Sequence, residues 1–306
     1  MADLILNSYG DVSRKDDVVL NAVEILTAKE TQLFNMLGKT KAIDTVHSYL
    51  YQTTRTAASG AVNEQTDYSL SACTTPSRYT NIVQQTQIVY AVTDVQKAIE
   101  HYHGQNELSR QTEIALMDWG NAAEFDLLRS TWVSGISATT PKMSGIIEAI
   151  SKGTNHTSHT SGTVWSASIL DGLVKGNFNQ SNGDMATDLF MGPSLRAQTD
   201  NFTQKTSVVI NGVGATSLVK EVSTYQTSFG TLSMHTHRYL SITGTDATGR
   251  VMGLNPSKLK VAMLVNPWID MNIGRTGPYT KRAVIGNFTL EVHNQDSNFW
   301  ADGFLL

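Results

Sequence analysis

The stretch Thr93-Asp94-Val95-Gln96-Lys97-Ala98-Ile99-Glu100 opens a run that reaches Trp132, and the reading of that run decides the fold. Thr93 stands at a helix N-cap position with Gln96 three residues on. Its hydroxyl can accept from the Gln96 amide while the Gln96 side chain reaches back. Beyond the cap, apolar residues recur at helical spacing: Val95, Ala98, Ile99, Tyr102, Leu108, Ile114, Ala115, Ala122, Phe125, Leu128 and Trp132. Lys97, Glu100, Asn106, Arg110, Glu113, Asp118 and Asn121 take the other face. An unbroken helix of about 40 residues would extend about 60 Å, longer than helices inside most compact domains. Gly104 and Gly120 are its weak points, each costing about 1 kcal/mol against Ala. Two ordinary helices meeting at Gly104 are the alternative. The stripe continues past that glycine in phase, which favours one element.

Upstream of the helix the pattern changes to alternation. Val46, Ser48, Leu50 and Gln52 run outward, and Asn81 to Val92 runs back with Val83, Gln85, Gln87 and Val89 on one side. Between them lies a polar tip, Thr53 to Ser77, containing Ala58-Ser59-Gly60 and Thr75-Pro76. This predicts a long two-stranded arm with a loose end. An isolated hairpin is marginal in water, so the arm needs another surface, its own domain or a neighbour. Further upstream, Leu4–Leu6 is short and apolar. Asp16 to Leu37 has helical spacing closed by Gly38.

Downstream, Ser134 to Gly162 reads as loop, punctuated by Gly135, Pro141, Gly145, Gly153 and Gly162. Ser166 to Val174 predicts a short amphipathic helix and Thr187–Met191 a buried strand. Gly192-Pro193 starts a helix through Leu195 to Phe202, with proline in its permitted first turn. Strands are expected at Ser207–Ile210, Leu218–Gln226, Thr231–Leu240, Leu259–Val265, Lys281–Ile285 and Phe288–His293, with a hairpin turn at Ser228–Gly230. No internal repeat is present. The layout is α+β, with helices early and antiparallel strands late.

The 306 residues allow one large domain or two modest ones. Charged residues make up only 16%, below the roughly 25% of ordinary domains. Such a surface suits a protein covered by neighbours, since interface cores are depleted in charge; it also suits a β-rich extracellular protein. Net charge is -4, and no basic run of nucleic-acid or membrane type occurs, so any DNA contact would be weak and not sequence-reading. Cys73 is the single cysteine, which excludes an intrachain disulfide. Met1 to Gly10 lacks a basic region followed by an apolar core, and the longest apolar run, near Val261–Val265, is far short of a span. The expectation is a soluble protein made in a cytoplasm.

No catalytic, cofactor or metal pattern emerges. His101 and His103 are two apart on a helix and face differently. His235 and His237 would share one strand face, but no acidic or cysteine ligand beside them completes a metal set. His156 and His159 sit in a Ser/Thr-rich loop and read as solvated. Asn211-Gly212-Val213-Gly214 lacks the P-loop lysine and the third glycine of a dinucleotide fingerprint, so it reads as a turn. There is no G-x-S-x-G, H-E-x-x-H or C-x-x-C pattern, no paired carboxylates stand out, and Cys73 has no adjacent His or Lys to activate it.

The order of elements resembles the major capsid proteins of tailed bacteriophages, with the Hong Kong 97 fold. The resemblance is carried by an N-terminal arm, an extended hairpin, a long spine helix and a glycine-punctuated α/β region ending in strands. Ser233-Met234-His235-Thr236-His237-Arg238-Tyr239-Leu240 looks like the long strand of the peripheral domain. Leu259-Lys260-Val261-Ala262-Met263-Leu264-Val265-Asn266-Pro267 looks like a central strand of the axial domain, and Thr276 to Asn294 like the closing strands of one branch. The resemblance implies an N-terminal arm at 1–43, an extended loop at 44–92, and a peripheral domain with the spine helix at 93–139. An axial domain follows at 140–306, with peripheral strands returning at about 218–245.

It further implies a non-enzymatic protein without cofactor. Copies would assemble as pentamers and hexamers into an icosahedral shell around double-stranded DNA in the host cytoplasm, with scaffolding, portal and decoration proteins as possible partners. Some members cross-link through a lysine on the extended loop; here no lysine lies between Lys41 and Lys97. On the arm, Arg55, Glu64, Asp67 and Arg78 are candidates for pairing with neighbouring subunits. Tyr49, Tyr51, Tyr68 and Tyr79 are candidate aromatic anchors. Solvated loop charges and tyrosines packed within their own subunit are the plain alternatives. A tail-tube or decoration protein, and a β-rich carbohydrate-binding protein, are the other readings.

Overall fold

The computed structural model describes residues 5–6, 31–55, 58–65, 67, 73–99, 106–135, 139–180, 184–202, 223–240, 248–271 and 273–305. Its first half contains β1 (Ile5–Leu6), α1 (Gln32–Met36), β2 (Gly38–Lys41), β3 (Val46–Tyr51), β4 (Ser77–Ile82), β5 (Gln84–Thr93), α2 (Asp94–Ala98) and α3 (Glu107–Arg129). The second half adds α4 (Ile146–Ser151), β6 (His156–Thr163), α5 (Ala167–Gln180), β7 (Asp188–Met191) and α6 (Pro193–Asp200). It closes with β8 (Thr224–Gln226), β9 (Thr231–Thr236), β10 (Thr248–Leu254), β11 (Leu259–Asp270), β12 (Tyr279–Val292) and β13 (Phe299–Leu305).

Strands β1-β5-β12-β11-β2 form one sheet, β6-β13-β10-β7-β9-β8 a second, and β3-β4 a separate hairpin. In the first sheet β12 runs antiparallel to both β5 and β11, from Thr93↔Tyr279 and Asp270↔Ala283 inward. Side-chain alternation decides what each face covers. Val284, Phe288, Leu290 and Val292 on β12 join Val261 of β11 in the main core against α1 and α3. Gly286 lies on the same face, where the Trp119 ring of α3 occupies the place a Cβ would take, 2.5 Å away. The Trp119 indole donates to the carbonyl of Thr86, the residue paired with Gly286 across the sheet. The second sheet is buried on both sides. Phe190, Met252 and Trp300 face the main core, while Leu189, Met191, Val251, Phe299 and Ala301 face a second core closed by α5 and α6.

The N-cap at Thr93 forms as expected, with the Gln96 amide donating to its hydroxyl at 3.2 Å. The single long helix does not form. Ile99 has an extended backbone (φ -76°, ψ 131°), ending α2 after five residues, and α3 starts afresh behind Asn106, whose side chain accepts from the Leu108 amide. Gly104, His101, Tyr102 and His103 lie outside the described residues. A second strong cap outcompetes continuation of the apolar stripe. The buried face of α3 is also offset from that stripe: it contains Arg110, Trp119, Glu124 and Leu127, whereas Phe125 is 38% exposed. Arg110 is buried because Glu107, one turn earlier, pairs with it at 2.8 Å.

The arm returns along β4, not along Asn81–Val92; most of that segment is β5, inside the first sheet. Ser134–Gly162 is not all loop, since it holds α4 and β6. The Ser/Thr-rich β6 is an edge strand, ordered by parallel pairing with β13 rather than by apolar periodicity. There His156 stacks on Trp300 and His159 leans on Phe304, so neither is a solvated loop residue. Lys281–Ile285 and Phe288–His293 fuse into β12, and β10 and β13 were not anticipated. The late strands are not all antiparallel, because β9 pairs parallel with β7 and β13 with β6. Gly38 opens β2 rather than capping a helix. Of the helix expected from Asp16 to Leu37, residues 16–30 lie outside the described residues and α1 starts behind its N-cap Thr31; Ser207–Ile210, the 211–214 turn and most of Leu218–Gln226 also lie outside the described residues. The β8–β9 hairpin is present, with the Thr227 amide donating to the Gly230 carbonyl.

The strands beneath α3 are β5 and β12, while β9 belongs to the sheet bounded by α5 and α6. The 259–294 segment therefore accompanies the long helix, and most of 231–240 does not.

Candidate inter-subunit surface

The two faces of the β3–β4 hairpin have different fates. His47, Tyr49 and Tyr51 point one way, opposite Asn81, Tyr79 and Ser77. Tyr79 stacks on Tyr51 at 4.4 Å and on Tyr49 at 6.1 Å between ring centroids, and Tyr49 packs on His293 of the body. Burial pushes the Tyr49 phenol up; burial and the Tyr79 hydroxyl do the same to Tyr51. Three of the four expected tyrosines thus pack within their own subunit. Tyr68 lies outside the described residues.

The Asn81 side chain fastens the hairpin base. Its amide nitrogen donates to the Ser144 and Leu290 carbonyls, and its oxygen accepts from the Ser144 and Ile82 amides. Gln84, just beyond, donates to the Asp126 carboxylate at 2.5 Å and accepts from the Ser130 hydroxyl and the Met143 amide. Below the base, Glu291 on the sheet face opposite α3 meets His47 at 2.5 Å, the Thr40 hydroxyl at 2.9 Å and His293 at 3.0 Å. Burial pushes the Glu291 carboxyl up, but hydrogen bonds from His47, Thr40 and His293 outweigh it and hold its pKa below the ordinary value.

The opposite hairpin face is open. Val46 is 48% and Leu50 60% exposed, beside exposed Arg78, whose guanidinium donates to the Ser48 hydroxyl. Ile43 and Val62 are barer still. Arg55, Glu64 and Asp67 are exposed toward the tip. Sequence reasoning did not single out Val46 and Leu50, the apolar half of the open face. The signal was available, since two large apolar residues alternate with polar ones on a strand that has no second layer. Other exposed apolar side chains lie at the distal part of β11 and just past it (Val265, Trp268, Met271) and at Trp132.

Elsewhere the polar clusters are structural. Glu124 of α3, fully buried, accepts from the Leu33 and Phe34 amides at 2.6 and 2.7 Å and meets His237 at 2.9 Å. It caps α1, whose own N-cap residue Thr31 makes no side-chain cap. His235 bridges Asp188 and Gln32. Among the described residues no cluster of three or more His, Cys, Asp or Glu could hold a metal, and no helix is long and apolar enough to cross a membrane.

The family model of the SU10 major capsid protein matches residues 9–304. The chain belongs to the SU10 major capsid protein family. As a member it is a structural protein of the virion capsid that self-assembles into an icosahedral shell. No curated protein matches the sequence. Among solved structures it is similar to that of Mycobacterium phage Bobi, with 9% identity and a TM-score of 0.63 over 95% of this chain and 96% of that one. The capsid of Myoviridae Phage XM1 gives 10% and 0.60 over 94% and 97%. The capsid of a native GTA particle gives 9% and 0.63 over 98% and 100%. At such identities these likenesses show the fold alone, and the fold is the Hong Kong 97 type. The tail-tube, decoration and carbohydrate-binding readings give way to the family match.

Proposed function

We propose that this capsid protein assembles as pentamers and hexamers that close around double-stranded DNA, with the β3–β4 arm laid by each copy on its neighbour. The observation that carries this reading is the open hairpin face, where Val46 and Leu50 stay bare while the opposite face is fastened to the body. Burying a residue of this size contributes about 1.5–3 kcal/mol, enough to select a docked arm when repeated around a ring. Arg55, Glu64, Asp67 and Arg78 form its polar rim and Tyr68 its distal anchor, while Tyr49, Tyr51 and Tyr79 serve as the internal hinge of the arm.

The domain reading follows the packing. Residues 1–43 act as the N-terminal arm, delivering Leu33 and Phe34 to the core. The extended loop ends near residue 82, not 92. The sheet under α3 is the peripheral domain and the six-stranded sheet the axial one. The chain works without catalysis or cofactor, contacts DNA weakly, and assembles in the host cytoplasm with scaffolding, portal or decoration proteins as further partners. Negative-stain electron microscopy of the purified chain at high concentration tests the reading. Shells, or rings of five and six, are expected. A uniform monomer that stays so after addition of the phage's scaffolding protein would overturn it.

A further inference from the structure

We propose that Glu291 is the positioning residue of the arm, and that its contacts to His47 and His293 make a proton-operated latch between arm and body. Glu291 is 5% exposed on the sheet face away from α3. It is the point where three separate chain segments meet: His47 from the arm strand β3, Thr40 from β2, and His293 just past β12. The other titratable groups facing it are Tyr49 of β3, which packs on His293, and Lys260 of β11, its direct partner across the sheet. One carboxylate thus serves two imidazoles, one on the arm strand β3 and one just past β12 in the body. Imidazole gains or loses its charge between about pH 5 and 8. A charge-assisted hydrogen bond is roughly twice as strong as a neutral one. With both rings charged the carboxylate clamps the arm base; with both neutral only ordinary hydrogen bonds remain. Asn81 carries no titratable group and burial pushes the Tyr49 and Tyr51 phenols up, so these fastenings do not depend on pH between about 5 and 8 and the latch acts on the arm's stiffness rather than its attachment. Its bearing on shell assembly rests on the reading of the arm as the limb that reaches a neighbour; the latch itself is a property of one subunit.

The single cysteine supplies the test. Cys73 is exposed and lies four residues before β4 on the arm. A nitroxide attached there to the full, unassembled chain reports arm mobility by electron paramagnetic resonance, whether or not shells form. The immobilised spectral component should be largest near about pH 6 and fall as pH rises past about 8. Glu291→Gln should flatten that profile, and so should His47→Gln, an arm substitution that retains a donor but cannot charge. A wild-type spectrum that does not change with pH would overturn the latch, as would the same profile in a folded His47→Gln protein.

Discussion

At the residue scale, the fold leans on a few side chains that do several jobs at once. Glu124 satisfies two amides of α1 and an imidazole in a site without water access. Removing one partner of such a group leaves the others buried and unpaired, so Glu124→Ala should cost on the order of 3–5 kcal/mol. Urea unfolding of the subunit measures it, and Glu124→Gln, which keeps one acceptor, should lose less. Gly286 is a second such point. Any Cβ there meets the Trp119 ring, so Gly286→Ala should cost about 1–3 kcal/mol through overpacking, with part of the loss recovered in a Trp119→Phe background. Acid titration separates two carboxylates of opposite sign. Glu291 is held below its ordinary pKa, so its contribution is present above the unfolded-state value and is lost as pH falls through the folded one. Asp126 is pushed up, by burial first, so in the folded protein it costs stability as pH rises from the unfolded-state value through the folded one. Asp126→Asn should therefore hold or raise stability at neutral pH, whereas Glu291→Gln should lower it there and spare it in strong acid. Thermal melts across the acid range read both.

At the element scale, the part of the arm that reaches outward is separable from the part that anchors it. Deleting residues 58–72 removes the tip while keeping β3, β4, Asn81 and the tyrosine stack. The melting temperature should stay within a few degrees of the parent, while shells or rings disappear under the electron microscope. Local signals made much of this legible. The Thr93 cap, the Gly192-Pro193 helix start and the β8–β9 turn are all encoded within four or five residues, and they stand in the structure. Long-range pairing was not legible. Edge strand β6 owes its order to β13, some 140 residues on, and its Ser/Thr composition resembles a loop. Asn106 defeats an apolar stripe that periodicity alone would carry through. Which of the two readings of Tyr49, Tyr51 and Tyr79 applies was not legible locally: they share a strand face with His47, and that face meets Glu291, a residue 244 positions away from His47.

At the scale of the whole molecule, two sheets share one core and the chain alternates between them. Assembly through buried area and polar rims predicts reversible bonds between copies. With no lysine between Lys41 and Lys97, mature shells boiled in detergent should run as monomers on a denaturing gel; a ladder of covalent oligomers would contradict this. The strand order carries a consequence for synthesis. Among the described residues, β2 has no neighbour in its sheet except β11, β5 has beyond it only the two residues of β1 until β12 arrives, and β6 waits for β13. A ribosome that has translated the first 250 residues has therefore made the β3–β4 hairpin in full but neither of the two larger sheets. Neither of the two larger sheets closes until β12 and β13 have been made, so the edges of β2, β5 and β6 stay open through most of synthesis. A copy thus becomes competent to join a shell once β12 and β13 have paired, since these two strands hold the larger sheets together.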